Sequence, residues 1–264
     1  MKIALAQLDM GFEDKELAKK RCKDIMAKAA KLQAELVIFP EMTLTGFTMS
    51  PDRYGETAEN APSVAFFQEE AKKHHISIIF GVIFTKDGVA KNHCIVMDKE
   101  GNIKASYAKI HPFSYGAEAK YYVGGNTPAY CEIGGISISP LICYDLRFPE
   151  IFQIISKKST LITVIASWPV ARIAHWKTLL QARAIENQCF IAGVNRIGKD
   201  NSLTYSGDSM LISPTGDVLL HLTEKDTLAV AEITAEDVEI YRKEFPLKKD
   251  RKEALYCQLF QESK

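Results

Sequence analysis

Three side chains offer most of the chemistry in this sequence: Cys143, Glu41 and Lys109. Cys143 stands where the apolar run ISISPLI gives way to YDLRFPE, a segment that leads into a helix. A strand-to-helix turn exposes its first side chain at the sheet edge. It also aims backbone N–H groups and a helix dipole at that point, which suits a thiolate nucleophile and a developing oxyanion. Pro149 fits a first helical turn and supports the placement. A buried structural thiol is the ordinary fate of a free cysteine, and position alone leaves both descriptions open. Cys22, Cys94, Cys131, Cys189 and Cys257 fall on apolar faces, in strands or near the tail, and are expected to be packing residues.

A free thiol ionises near pH ~8.5 and needs a base or a cation beside it. His74, His75, His93 and His221 lie at helix ends or on strand faces with no polar partner legible. His111 and His175 sit in loops or helix starts, and nothing selects either as a base. Glu41 offers more. It follows the apolar run ELVIF and Pro40, at the sheet rim where parallel-sheet sites form. Its neighbours Phe39, Pro40, Met42 and Leu44 are apolar, so desolvation should raise its pKa toward neutrality. Lys109 ends the run IKASYAKI, ahead of His111-Pro112-Phe113. A lysine at a strand end is usually solvated, but Tyr107, Ile110 and Phe113 could draw this one into a pocket as a fixed positive charge. No HExxH or CxxC spacing points to a metal.

The elements that must position these groups alternate along the chain. Lys2–Leu8 reads as a strand, and 13–34 as an amphipathic helix with Ala18, Cys22, Ile25, Ala29 and Leu32 on one face. Glu35–Phe39 is a buried strand, 64–74 a helix, 76–84 a strand, and 94–98 with 103–107 a hairpin. Further strands are expected at 136–142, 161–166, 190–194, 210–212, 218–222 and 227–233, with helices at 150–157, 175–187 and 236–243. Interleaving to the end indicates one α/β domain over residues 1–264, with 247–264 a charge-rich tail that could pack on a partner subunit. The 264 residues carry 33 basic and 33 acidic side chains, and this balance argues against nucleic acid. The uncharged stretches are too short and too polar to span a membrane. Six scattered cysteines suggest reduced thiols and a cytoplasmic location.

The blocks FPEMTLTGF, YAKIHPF and PLICYDLRFPE resemble the three signatures of the nitrilase superfamily of carbon–nitrogen hydrolases. MKIALAQLD and SGDSMLISPTGDVL extend the likeness over nearly the whole chain. The resemblance implies a Glu–Lys–Cys triad at Glu41, Lys109 and Cys143, with Glu118 as a supporting second glutamate. It implies a four-layer αββα sandwich and a homodimer or larger assembly joined through helical layers near CYDLRFPEIF. Within the family, HPFSYGAEAKYYVGG, ASWPVARIAHW and QARAIENQCFIAGVNRIG are similar to the bacterial omega-amidase branch. That branch hydrolyses the terminal amide of 2-oxo acid amides such as 2-oxoglutaramate or 2-oxosuccinamate.

On that resemblance Glu41 takes the thiol proton of Cys143, and Lys109 with the Tyr144 backbone N–H holds the oxyanion. No metal or organic cofactor is needed. Trp168, at the end of LITVIAS, is expected to line the pocket with Phe113 and Tyr115. Arg172, just ahead of a helix, is expected to bind the substrate carboxylate. Asp145, Arg147 and Arg183 are expected to be structural, as a helix cap or ion pairs. The alternatives are another small amide, a nitrile or an N-carbamoyl compound as substrate, or a non-catalytic binding protein on the same fold.

Overall fold

The computed structural model describes residues 1–224 and 227–263. In chain order its elements are β1 (Lys2–Gln7), α1 (Lys15–Lys31), β2 (Leu36–Ile38), α2 (Pro51–Tyr54), α3 (Pro62–His74), β3 (Ser77–Lys86), β4 (Val89–Met97), β5 (Ile103–Ala108), α4 (Glu118–Tyr121), β6 (Cys131–Ile133) and β7 (Ile136–Ile142). Then come α5 (Pro149–Ile155), β8 (Leu161–Ala166), α6 (Ile173–Asn187), β9 (Phe190–Asn195), β10 (Ile197–Lys199), β11 (Thr204–Ile212), β12 (Val218–Thr223), β13 (Thr227–Glu232), α7 (Ala235–Glu244) and α8 (Glu253–Glu262).

The first sheet has the order β13-β1-β2-β3-β4-β5, and the second β10-β11-β9-β8-β7-β6 with β12 beside β11. Strands β1, β2 and β3 are mutually parallel, as are β7, β8 and β9. Strand alternation decides how the layers stack. In β1, Ile3 and Leu5 point into a core shared with Ile138, Ile142, Ile162 and Val164 of the second sheet. Ala4 and Ala6 point the other way, against Ala18, Cys22 and Ile25 of α1 and Phe67 of α3. Beyond the second sheet, α6 packs on β9 and β11 through Trp176 and Leu180, and α5 adds Phe152 and Ile155. The layering is αββα.

Several boundaries differ from the sequence expectations. α1 stops at Lys31, so Leu32 lies at the cap and is exposed. β11 begins at Thr204, because Thr204–Ser206 pair with β10. The charged tail folds as a short 3-10 turn, Leu247–Asp250, followed by α8. α8 is tied to the end of α5 by Lys157 and Glu253 at 2.5 Å, and Lys264 lies outside the described residues. Between α5 and α8 runs an apolar groove of about 660 Å³, lined by Ile154, Tyr256, Leu259 and Phe260. Cys257 is exposed there and is no packing residue. His74, His93 and His221 do have polar neighbours, namely Glu70, Ser106 and Asp208.

Candidate active site

The site forms where the carboxyl ends of parallel strands from both sheets meet. Glu41 follows β2 after Phe39 and Pro40, and the chain then turns through Met42, whose φ is +47°. This turn crosses directly over β3. A Cβ on Gly81 would lie 2.2 Å from the Met42 backbone nitrogen, so only glycine admits the crossing. Thr43 fastens it, donating from Oγ1 to the Pro40 carbonyl at 2.6 Å and accepting the Gly81 N–H at 2.9 Å. Lys109 follows β5. Its backbone N–H donates to the Asn92 carbonyl of β4 at 2.9 Å, and its own carbonyl accepts from Gly125 at 2.8 Å.

Between the sheets lies a buried charge cluster. Lys109 Nζ donates to Glu118 Oε2 at 2.7 Å, Glu118 Oε1 at 3.0 Å and Glu41 Oε1 at 3.1 Å. Asn92 Nδ2 donates to the same two Oε1 atoms, at 2.8 Å for Glu41 and 3.1 Å for Glu118. The second oxygen of Glu41 accepts the Ser167 backbone N–H from beyond β8 at 2.8 Å. That of Glu118 accepts the Phe113 N–H at 2.6 Å. Burial raises the pKa of Glu41, opposed by Lys109 and reinforced by Glu118. Burial alone would lower that of Lys109, but Glu41 and Glu118 outweigh it and hold the ammonium above its ordinary range. Lys109 is therefore held as a fixed cation, and Glu41 is a carboxyl whose proton affinity burial has increased.

Cys143 opens a tight turn, Cys143–Arg147, at the end of β7. Its φ is +46°, a left-handed conformation that costs a non-glycine residue of order 1–3 kcal/mol and recurs at functional turns. Asp145 holds the turn, accepting the Ile142 N–H at 3.0 Å and the Tyr107 hydroxyl at 2.8 Å. It also accepts from the His111 backbone at 3.1 Å, so the Cys143 turn is pinned to the segment that carries Lys109. Burial pushes the Cys143 thiol well up, Glu41 adds to that, and Lys109 opposes it. Burial therefore disfavours the thiolate until a base takes its proton.

Cys143 and Lys109 face a narrow cleft, about 40 Å³ of free space, with Phe113, Tyr144, Ser167, Trp168 and Arg172 in its wall. The Trp168 indole donates to the Arg172 carbonyl at 2.8 Å, and the Arg172 guanidinium lies 5.4 Å from the Phe113 ring centre. Two residues depart from expectation. Tyr115, expected in the pocket, is 88% exposed and lies outside the lining, because the chain turns outward beyond Phe113. Arg147, expected to be structural, lines the cleft with its guanidinium 4.6 Å from the Trp168 ring centre. Asp145 does cap the turn, and Arg183 bonds the Leu146 carbonyl and Glu186. Phe47 and Leu203 also line the cleft and were not anticipated. Nor was Asn92, although a polar residue in the buried phase of an alternating strand, between Ala90 and Cys94, is a readable signal.

This constellation of a thiol, a buried carboxylate and a fixed cation at strand ends of an αββα sandwich defines a class. The carbon–nitrogen hydrolase family model matches residues 2–243, and the chain belongs to that family. It is 33% identical over 261 residues to the 2-oxoglutaramate amidase of Bacillus subtilis (strain 168), covering 96% of this chain and 98% of that protein. It is 32% identical over 221 residues to the omega-amidase YafV of Escherichia coli (strain K12), covering 83% and 85%. Among solved structures, XC1258 from Xanthomonas campestris matches with a TM-score of 0.89 at 31% identity over 95% of this chain and 97% of that one. XC1258 is a CN-hydrolase superfamily protein with an arsenic adduct in its active site.

Proposed function

We propose that this carbon–nitrogen hydrolase is an omega-amidase. It hydrolyses the terminal amide of a small 2-oxo acid amide, 2-oxoglutaramate or 2-oxosuccinamate, to the acid and ammonia. The names of its relatives support this. The observation that carries it is a pair of arginines without acids. Arg147 and Arg172 both border the cleft, and among the described residues neither makes an ion pair with a carboxylate. Burial and the neighbouring Arg172 charge lower the Arg147 pKa, and an anion bound beside the two cations would offset that repulsion. A substrate carboxylate supplies that anion. Trp168 and Phe113 border the carbon chain, and their side chains must part from the arginines to admit it.

In the reaction, Glu41 takes the thiol proton as sulfur attacks the amide carbon. Lys109 Nζ and the Tyr144 backbone N–H hold the oxyanion, and one such donor is worth about 10²–10³ in rate. Glu118 keeps Lys109 in place. Glu41 returns the proton to the departing ammonia, leaving a thioester on Cys143, then activates the water that releases the acid. These steps call for no metal or organic cofactor. The protein is proposed to be a single catalytic domain in the cytoplasm, a location the free cysteines support, and a homodimer or larger homo-oligomer. The exposed apolar side chains of the α5–α8 groove support the oligomer.

Ammonia release from a panel of amides and nitriles tests the activity. kcat/KM for the 2-oxo acid amides should exceed that for neutral amides of equal length by at least about 10², the worth of one or two charge-assisted bonds. Arg172→Ala should raise KM for the anionic substrates about 10-fold or more and leave neutral amides unchanged. Equal rates on charged and neutral amides would defeat the omega-amidase assignment.

A further inference from the structure

We infer that Asn92 is a positioning residue of this centre: its side-chain amide clamps Glu41 and Glu118 together around Lys109 and keeps Glu41 ready as the base. The inference rests on Glu41 acting as that base. Asn92 is 2% exposed, in β4 opposite Ile83 of β3. Its backbone carbonyl already fixes the Lys109 main chain at 2.9 Å. Its side chain then reaches both acids. One amide NH₂ carries two hydrogens, enough for Glu41 Oε1 at 2.8 Å and Glu118 Oε1 at 3.1 Å together. Lys109 Nζ bridges the same two oxygens at 3.1 and 3.0 Å. Two donors thus alternate with two acceptors, which sets the separation of two carboxylates that would otherwise repel. The Ser167 N–H holds the other oxygen of Glu41, so the orientation of the base is determined at both ends.

The charged and titratable groups facing Glu41 are Lys109 beyond β5, Glu118 of α4, Tyr122 at the end of α4 and Cys143 beyond β7. Among these only Lys109 favours its ionised form; the Asn92 bond adds a second, uncharged stabiliser. Losing that bond makes the carboxylate harder to ionise. The acid limb of activity, which belongs to the Glu41–Cys143 pair, must then move to higher pH.

Two variants test this, Asn92→Ala and Asn92→Asp, each with two readouts. One is the pH dependence of kcat/KM for 2-oxoglutaramate. The other is the pH dependence of Cys143 alkylation by iodoacetamide, followed by mass spectrometry, which needs no amide turnover. In Asn92→Ala the acid limb should rise by about one pH unit in both, roughly ten-fold at a pH below the limb. KM should change less than about threefold. Asn92→Asp keeps the shape but places a third acid against the two carboxylates, so its limb should rise further. That order, Asp worse than Ala, is opposite to what a packing role gives. It also lets Asn92→Asp carry the test if Asn92→Ala is not recovered as folded protein. A wild-type alkylation profile in Asn92→Asp, or a milder effect for Asp than for Ala, overturns the inference. A shifted alkylation limb in a protein that hydrolyses none of the amides leaves the positioning role standing and overturns the omega-amidase proposal instead.

Discussion

Replacing Lys109 by methionine tests the electrostatics of the centre, because the unbranched apolar side chain, one atom shorter, fills most of the same space and removes the ammonium with its hydrogen bonds. Lys109 is 1% exposed, and its three contacts of 2.7, 3.0 and 3.1 Å all go to Glu41 and Glu118, each fully buried. Lys109→Met leaves two buried acids with Asn92 as their shared donor. Breaking a buried pair from one side costs about 3–5 kcal/mol. For a chain of this size each kcal/mol shifts the midpoint by about 2–4 °C, so Tm should fall by roughly 10 °C. The dependence on pH has a definite sign. The raised pKa of Lys109 means that its stabilisation is fully present below the ordinary lysine pKa, and is lost only as pH rises through the folded value. Over pH 5–8 it is constant in the wild type. In the variant no cation opposes burial, so the Glu41 pKa rises further and the folded state takes up a proton more readily than the unfolded chain. Stability of the variant therefore grows as pH falls, and the gap to wild type narrows from pH 8 to pH 5.

Glu118→Gln should act with opposite signs in the two backgrounds. It should destabilise the wild type, where it removes a partner of Lys109, and restore part of the loss in Lys109→Met, where it removes one of two repelling charges. Thermal unfolding followed by circular dichroism at pH 5, 6.5 and 8 reads all four proteins. A gap that does not change with pH, or Glu118→Gln destabilising both backgrounds equally, would refute the reasoning.

Two further outcomes are expected. Cys143→Ala should abolish ammonia release, and quenched wild-type enzyme should carry an acyl adduct on the Cys143 peptide that is missing from the variant; an active alanine variant would end the thioester mechanism. Gly81→Ala, outside the cleft lining, should cost about 1–3 kcal/mol in urea unfolding and lower kcat at least ten-fold, since the new Cβ must displace the Glu41–Met42 backbone. Normal activity in the Gly81→Ala enzyme would show that the crossing over β3 does not position the base.

Element type was legible wherever periodicity ran long enough to express itself. α1 shows Ala18, Cys22, Ile25 and Ala29 three or four residues apart, and β7, β8 and β9 read as apolar runs because they are buried on both faces. α2, α4 and β10 escape such reading, being three or four residues each, less than two periods of any pattern, and β6 is legible only as a strand at Cys131. α8 was missed for a different reason. None of its residues is buried, so its apolar side chains have no core in this chain to impose an amphipathic pattern, and charge dominated the reading. The four layers came from family resemblance alone. Alternation says that a strand has an inside; it does not say which other sheet fills it.

The site was legible only in part, for a related reason. Glu41, Lys109 and Cys143 could be singled out because each ends a strand, and a strand end is a local feature. Their partners are not local. The second oxygen of Glu41 is held by a backbone N–H 126 residues further on, and the Cys143 turn by a hydroxyl from the other sheet. Arg147 was misplaced because periodicity does not aim a side chain within a five-residue turn; the stacking surface of Trp168, brought from the next strand, does. Tyr115 erred in the opposite direction, an aromatic ring near Lys109 in sequence that the outward turn leaves in solvent. A centre assembled between two sheets has half of its contacts written in each. Sequence reasoning reaches the strand ends from either side, and tertiary pairing decides which groups meet across the gap.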